Sequence, residues 1–157
     1  MSVNLDWGSL GFGYVKTPYR YVSNFKDGKW DEGGLTADDK VVLSECAGVL
    51  QYAQTCFEGL KAYTTADGRV VTANRDYVPP YGSGATLYIR PYMFGSSEVI
   101  GVKPAKDYQF RMFVTPVGPY FKEGVKPIVI RVSDFDRAAP RGTGHIKAGL
   151  NYAMSLH

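Results

Sequence analysis

A single lysine near the end of the chain could carry nucleophilic chemistry. Lys147 stands in the sequence GTGHIKAGLNYAMSLH, among glycines and small or apolar residues. A lysine amine attacks a carbonyl group only when it is deprotonated, and burial or a nearby cation favours that state. The same residues also fit a solvated lysine in a glycine-rich loop, so this stretch alone leaves both interpretations open.

An arginine in the sequence LYIRP could bind a carboxylate. Arg90 follows an apolar run and precedes Pro91, so we expect it at the end of a strand. A guanidinium there can form two parallel hydrogen bonds with a carboxylate. Strand alternation places Tyr88 on the same face as Arg90. The alternative role for this arginine is a structural ion pair.

Two further segments could contribute to a site. In YAQTCFEG, Tyr52 and Phe57 could line an apolar pocket, although the pattern favours the core face of a helix. The loop DFDRAAPRG has two aspartates, which are too few to predict a metal site. His145 has no serine or cysteine nucleophile arranged with it, so a hydrolytic triad is not indicated.

The composition is that of a soluble globular protein. The chain has 157 residues, 45% hydrophobic and 21% charged, which is enough to form a real core. The net charge of +3 comes from scattered basic residues and does not indicate a nucleic-acid-binding surface. The N-terminal residues do not resemble a secretory signal, and no apolar run is long enough to span a membrane. We therefore expect a cytoplasmic protein in which Cys46 and Cys56 are reduced thiols.

The elements that must position these residues are mostly strands. Asp-Gly pairs predict two hairpins, one around Asp27-Gly28 and one around Asp67-Gly68. Helical spacing of apolar residues predicts a short helix from Gly48 to Glu58, which would end near Gly59.

Three more strands and a closing helix follow. Strands are predicted at Ala85 to Ile89 and in YQFRMFVTPVG. KPIVIRVSD is so rich in β-branched residues that we expect a central, buried strand. LNYAMSLH is predicted to start a helix whose one face carries Leu150, Ala153, Met154 and His157.

Several segments, taken together and in order, resemble the branched-chain amino-acid aminotransferases. These are pyridoxal-phosphate enzymes of the D-amino-acid-transaminase-like fold, also called fold type IV. The most specific match is KAGLNY preceded by RAAP. The matching segments cover most of the chain and are FGYVKTPYRYVSNFKDGKW, FEGLKAY, GATLYIRPYMFG, FRMFVTPVGPYF and SDFDRAAPRGTGHIKAGLNYAMSL.

The resemblance implies pyridoxal 5′-phosphate as the cofactor. Lys147 occupies the position of the lysine that binds this cofactor covalently and moves the proton during amino transfer. It is therefore the expected catalytic residue. Tyr152 matches the tyrosine that forms a hydrogen bond with the 3′-oxygen of the cofactor. No metal is implied.

The resemblance also implies the substrates, which are branched-chain amino acids, glutamate and the corresponding 2-oxo acids. Arg90 matches the arginine that receives the distal carboxylate of glutamate or 2-oxoglutarate, and Tyr88 matches a tyrosine beside it. Phe57 and Tyr52 match residues that line the pocket for the aliphatic side chain. The implied function is transamination of leucine, isoleucine or valine with 2-oxoglutarate, in the biosynthesis or catabolism of these amino acids.

The implied fold class is α+β, with a reduced small domain and the start of the large domain's β-structure. We expect residues 1–94 to form the small domain, internally shortened near 72–73. Residues 95–104 would link the domains, and residues 105–157 would begin the large domain that binds the cofactor. The implied assembly is a homodimer, with no nucleic-acid or membrane partner.

The sequence departs from the family pattern in two places. Between DGRVVT and ANRDYVPP it runs straight on, where family members carry a few dozen further residues. Those residues include an arginine for the cofactor phosphate, a role that we do not assign to the nearby Arg75. The chain also stops at His157, before the residues that in the family bind the pyridine nitrogen, the phosphate and the substrate α-carboxylate.

Two alternatives to an active branched-chain transaminase follow. The departures leave open a catalytically inactive fragment that acts only as an interaction or assembly module. A D-amino-acid transaminase or an aminodeoxychorismate lyase would share the fold, but YIRP combined with KAGLNY argues against both.

Overall fold

The computed structural model describes residues 3–68, 72–124 and 126–156, and its main element is an antiparallel β-sheet. The strands are β1 (Arg20–Lys26), β2 (Lys29–Trp30), β3 (Gly34–Thr36), β4 (Thr55–Phe57), β5 (Leu60–Ala62), β6 (Thr86–Gly95) and β7 (Tyr108–Val117). The strand order is β2-β1-β7-β6-β4, and β3 and β5 pair with β1 and β6 respectively. The helical elements are α1 (Gly48–Tyr52) and three 3₁₀ helices, Arg75–Tyr77, Thr143–His145 and Gly149–Leu156.

The first predicted hairpin is confirmed. Phe25 pairs with Trp30, and the two residues between the strands are Asp27 and Gly28. Both have positive φ, 51° and 79°, which is the backbone of a two-residue turn that matches the twist of the flanking strands.

Hydrogen bonds of the Asp31 carboxylate hold the segment after this hairpin against β1. Its carboxylate accepts hydrogen bonds from Ser23 Oγ at 2.8 Å, from the backbone and side-chain nitrogens of Asn24 at 2.9 and 2.8 Å, and from Gly33 N at 3.1 Å. Hydrogen bonds to a carboxylate favour its charged form. Those from Asn24 and Ser23 lower the pKa of Asp31 from 3.8 to about 2.

The centre of the sheet is the pair β6 and β7, which run side by side from Thr86↔Val117 to Gly95↔Tyr108. The predicted strand at Ala85 to Ile89 is therefore present but extends further, because β7 offers a partner along its whole length. One face of this pair forms the hydrophobic core, where Leu87, Val114 and Val78 are buried together.

The prediction that Arg90 ends a strand is wrong. β6 continues through Pro91, whose carbonyl oxygen accepts a hydrogen bond from Glu58 N at 2.9 Å. In a strand the N–H and C=O of one residue point to the same neighbour, so the donor that proline lacks faces the bend between β4 and β5. The sheet tolerates proline there because no ladder bond needs that donor.

The helix predicted from Gly48 to Glu58 is only partly correct. It ends at Tyr52, and Ala53 adopts a left-handed conformation with φ of 49°. Residues 55–57 form β4 instead and pair with residues 92–94 of β6. Pairing with a long central strand outweighed the local helical spacing, as tertiary contacts commonly do.

The prediction of a buried central strand in KPIVIRVSD is also wrong. Residues 126–133 form no strand in the described part of the chain, and Val129 is 100% exposed. A high content of β-branched residues favours a strand only where a neighbouring strand supplies hydrogen bonds and packing.

The remaining predicted elements are present in part. The turn at Asp67-Gly68 has a hydrogen bond from Gly68 N to Thr65 O at 2.8 Å, while its predicted return arm at 69–71 lies outside the described residues. The closing helix is present at Gly149–Leu156, but as a 3₁₀ helix. His157 lies outside the described residues.

Strands from both sides of the predicted interdomain segment belong to the same sheet. β6 ends at Gly95, the first residue of that segment, β7 begins after it at Tyr108, and the two strands pair directly. The division into domains at 94 and 105 stays a prediction. None of the helices described is long and apolar enough to cross a membrane.

The Asp31 carboxylate makes the stability of the fold depend on pH in a defined window. Its lowered pKa means that the stabilisation is fully present above pH 3.8 and is lost as the pH falls towards 2. We expect Asp31→Asn to lower the midpoint of urea unfolding at about pH 6, and the difference from wild type to vanish near about pH 2. Asp27→Asn removes the same charge from the same hairpin without breaking these bonds. An equal loss in both variants would contradict the assignment.

Candidate active site

The segment that carries Lys147 is attached to the edge of the sheet by its backbone. The Lys147 carbonyl oxygen accepts a hydrogen bond from Phe57 N, the last residue of β4, at 2.9 Å. The next residue, Ala148, is buried. The segment is therefore held against β4 while the Lys147 side chain stays partly exposed.

The side chain of Asn151 holds the residues before Lys147 in place through hydrogen bonds. Its side chain is 0% exposed, and Nδ2 donates to the carbonyl oxygens of Thr143 at 2.7 Å and Ile146 at 2.8 Å. Its Oδ1 accepts from Thr143 Oγ1 at 2.9 Å. A buried amide with its hydrogen bonds satisfied rigidifies the groups around it. Asn151 therefore positions the turn that leads into Lys147.

The Lys147 amine lies in an aromatic corner. Nζ donates to the Tyr152 hydroxyl at 3.1 Å and lies 5.1 Å from the centre of the Phe57 ring. The two rings are in contact, with 5.4 Å between their centroids. Arg137 adds a second cation, 5.5 Å from the Tyr152 ring, and its Nη1 donates to the Asn151 carbonyl oxygen at 3.4 Å.

Phe57 connects this corner to Arg90. The Arg90 guanidinium lies 4.5 Å from the centre of the Phe57 ring. Its Nε and Nη2 both donate to the Tyr88 hydroxyl, at 3.0 and 2.8 Å. The predicted shared face of Tyr88 and Arg90 is thus present. In the described part of the chain, no carboxylate forms an ion pair with Arg90.

Of the six residues predicted for the site, the structure brings five together. The group is a continuous series of contacts, and we call it the lysine cluster: Lys147, Tyr152, Phe57, Arg90 and Tyr88. Tyr52 lies elsewhere, on α1, where its hydroxyl donates to the carbonyl oxygen of Ile100. The contacts described for Tyr52 do not include the lysine cluster.

Comparison with known proteins bears on this arrangement. No family model matches the chain. The branched-chain-amino-acid aminotransferase of Haemophilus influenzae is 45% identical to it, over 98% of the chain and 55% of the relative. The protein of the same name from Helicobacter pylori is 40% identical, over 98% of the chain and 56% of the relative.

Nearly the whole chain is therefore related in sequence to branched-chain-amino-acid aminotransferases. The relatives are named as aminotransferases, which are enzymes. The chain spans about half the length of the curated relatives it matches. The alignment with the Haemophilus protein extends over 189 positions, more than the 157 residues of the chain, so the relative carries residues that this chain lacks.

Solved aminotransferase structures show that the fold is the one predicted. The structure of the Escherichia coli branched-chain amino acid aminotransferase covers 90% of the chain with a TM-score of 0.62 and 23% identity. That of the branched-chain aminotransferase from Thermoproteus uzoniensis with norvaline gives a TM-score of 0.58 and 19% identity. The chain covers 54% of each. It therefore has part of the α+β, fold type IV architecture.

Two aromatic residues extend the lysine cluster and were not predicted from the sequence. The Phe12 ring packs edge-on against Tyr88 at 5.6 Å and against Tyr120 at 5.8 Å. Phe12 reaches this position because Gly118 N donates to Gly11 O at 3.0 Å, which ties the N-terminal segment to the end of β7. Phe12 lies between two glycines in the sequence and Tyr120 follows a Gly-Pro pair, but no periodicity links such distant segments.

A cavity of about 490 Å³ opens beside the Lys147 side chain. Its walls are mainly apolar and include Phe57, Pro91, Met93, Phe110, Ile146 and Lys147. A concave apolar site with a few polar groups is typical of small-molecule sites.

Lys147 lines this cavity, and Tyr152 contacts Lys147 from outside the lining; together they fit one end of a pyridoxal phosphate molecule. Lys147 and Tyr152 pair an amine with a phenol at 3.1 Å, which suits an aldehyde that has a hydroxyl group beside it. Among the described residues we assign none to the phosphate group or to the pyridine nitrogen.

The bond between Tyr88 and Arg90 can be tested directly. Tyr88→Phe removes the acceptor of two guanidinium donors in a partly buried site, and we expect a loss of about 1 kcal/mol in the free energy of unfolding. The measurement is urea unfolding. Tyr63→Phe, at an exposed tyrosine, is the matched control and should change stability by less than about 0.5 kcal/mol. Equal effects in both variants would show that the bond does not contribute.

Proposed function

We propose that this chain carries part of the active site of a pyridoxal-phosphate-dependent transaminase for branched-chain amino acids and 2-oxoglutarate. The observation that carries the proposal is the contact series from the Lys147 amine to Arg90 through Phe57. It combines a nucleophilic amine, an apolar ring and a cation in one site. The names of the relatives support the same reaction.

Lys147 and Tyr152 are the proposed cofactor-binding residues. Pyridoxal phosphate, when bound, supplies the electron sink that amino transfer requires. The Lys147 amine would hold the cofactor's aldehyde carbon and carry the proton between substrate and cofactor. The Tyr152 hydroxyl would orient that amine and donate to the neighbouring ring oxygen.

Arg90 and Phe57 are the proposed means of accepting two kinds of side chain in one pocket. The Arg90 guanidinium is satisfied by the Tyr88 hydroxyl and the Phe57 ring, both of which are neutral. The half-buried guanidinium therefore keeps its hydrogen-bond partner when the bound substrate is aliphatic. A substrate carboxylate can still pair with the free guanidinium edge. We retain Tyr52 as a proposed pocket residue on the resemblance alone.

The rest of the proposal concerns the setting of the site. We propose a homodimer in the cytoplasm, which acts in branched-chain amino-acid metabolism. The free thiols of Cys46 and Cys56 support a reducing compartment. Exposed apolar residues between Ile128 and Val132 support association with a second surface.

A second candidate function is an interaction or assembly module without catalysis. The exposed segment at 128–132 favours it, because an apolar surface of this kind commonly packs against a partner. The two candidates differ in whether the Lys147 amine reacts with the cofactor.

Trapping the cofactor on the chain tests the proposed function. We expect pyridoxal phosphate followed by borohydride to modify Lys147 at least about tenfold more than any other lysine, because its amine is held against Phe57 and Tyr152. Peptide mass spectrometry measures the modified fraction at each lysine.

Matched variants complete this experiment. Lys147→Ala should remove the dominant adduct, while Lys122→Ala, at an exposed lysine, should leave it unchanged. An even spread of label over all lysines would contradict the transaminase proposal and favour the assembly module.

A further inference from the structure

A second cavity, of about 300 Å³, opens on the face of the sheet that carries Arg90. We call it the arginine cavity, because Arg20 and Arg111 line it together with Tyr14, Asp39, Tyr92 and Phe113. Neither Arg90 nor any other member of the lysine cluster is among its lining residues, although Phe113 pairs with Arg90 across the strands.

Both arginines are buried. Arg20 is 4% exposed and Arg111 is 6% exposed. The sheet register brings them together, because Arg111 in β7 pairs with Val22 in β1 and with Tyr92 in β6. Arg20, two residues before Val22, therefore shares the face of Arg111. Burying two like charges on one face is unfavourable unless partners compensate for it.

The partners that the structure provides for these arginines are neutral. Arg20 donates to Thr17 O at 3.0 Å and to Ala37 O. Arg111 donates to Gln109 Oε1 at 3.0 Å and to Asp38 O at 3.2 Å. Across residues 3–68, 72–124 and 126–156, no carboxylate forms an ion pair with either guanidinium. Neither guanidinium therefore has an ion-pair partner among these residues, although the Asp39 carboxylate, which is bound to Lys16, also interacts electrostatically with Arg20.

The acid that lines the cavity is already paired with another cation. Asp39 forms an ion pair with Lys16 at 2.6 Å. The hydrogen bond from Lys16 lowers the pKa of Asp39, so its carboxylate stays charged and bound at neutral pH. Arg20, Arg111 and Lys16 are positive and only Asp39 is negative, so these four residues leave a net positive charge at the cavity.

The other walls supply a neutral donor and aromatic surface. Burial raises the pKa of Tyr92 above 10.0, so its hydroxyl keeps its proton at neutral pH. The rings of Tyr14 and Phe113 pack edge-on at 5.7 Å, and those of Tyr92 and Phe113 at 6.1 Å. The cavity thus joins buried cations to an apolar wall.

We propose that the arginine cavity binds a small organic carboxylate, with its carboxylate between Arg20 and Arg111 and its carbon skeleton against Tyr14 and Phe113. Guanidinium groups bind carboxylates through paired, charge-assisted hydrogen bonds. Such an anion would give both guanidinium groups the ion-pair partner that they lack among the described residues. The site does not depend on the lysine cluster or on any cofactor.

Benzoate is a suitable probe, and benzamide is its neutral counterpart of the same shape. With the full chain and no cofactor, we expect titration calorimetry to show at least about tenfold tighter binding of benzoate than of benzamide, because only benzoate can pair with both guanidinium groups. Equal affinities, or no binding of benzoate, would overturn the proposal. Inorganic phosphate should bind at least about tenfold more weakly than benzoate, and equal affinity would overturn the organic ligand.

Arginine variants show which residues bind benzoate. Arg111→Met should weaken benzoate at least about tenfold, while Arg131→Met, at an exposed arginine, should leave it within about twofold. Arg90→Met removes the guanidinium of the lysine cluster, and benzoate should still bind at the arginine cavity in this variant. Loss of binding in Arg90→Met alone would place the anion at the lysine cluster and overturn the proposal.

A measurement on the unaltered chain covers the case in which Arg111→Met does not fold. Nitrogen-15 spectra of the arginine Nε–H groups should show shifts at Arg20 and Arg111 with benzoate and none with benzamide. Shifts confined to Arg90 would overturn the proposal.

Discussion

One backbone hydrogen bond, from Phe57 N to Lys147 O at 2.9 Å, joins the two halves of the candidate active site. It holds the segment of Lys147 against the edge strand β4, whose partner β6 carries Arg90. The Phe57 ring then lies within 5.1 Å of the Lys147 amine and 4.5 Å of the Arg90 guanidinium. Without this bond, the amine and the guanidinium would belong to separate surfaces.

The central strand β6 organises what surrounds that bond. Its neighbours on one edge change from β5 to β4 around Pro91, which needs no donor at that point. Near this change of partner, the side chains of Tyr88 and Arg90 bond with each other beside Phe57. The same strand also places Tyr92 in the arginine cavity, so one ladder serves two candidate binding sites.

Local rules predicted part of this structure. The Asp-Gly hairpin and the shared face of Tyr88 and Arg90 follow from turn chemistry and strand alternation, both of which depend on residues close in sequence. The change from helix to strand before Phe57 could not be predicted in this way, because pairing with β6 decides it. The segment 126–133 has strand-like residues and forms no strand, because strand propensity needs a partner. The arginine cavity depends on register between distant strands.

The family relationship extends what the geometry supports, and the contact between Phe57 and the lysine segment remains its physical basis. The most direct test is a nuclear Overhauser spectrum of the chain. The structure predicts cross-peaks from the Phe57 ring protons to the Lys147 side-chain methylene next to Nζ and to the Tyr152 ring. Cross-peaks from Phe57 to Arg90 with none to Lys147 or Tyr152 would contradict the account.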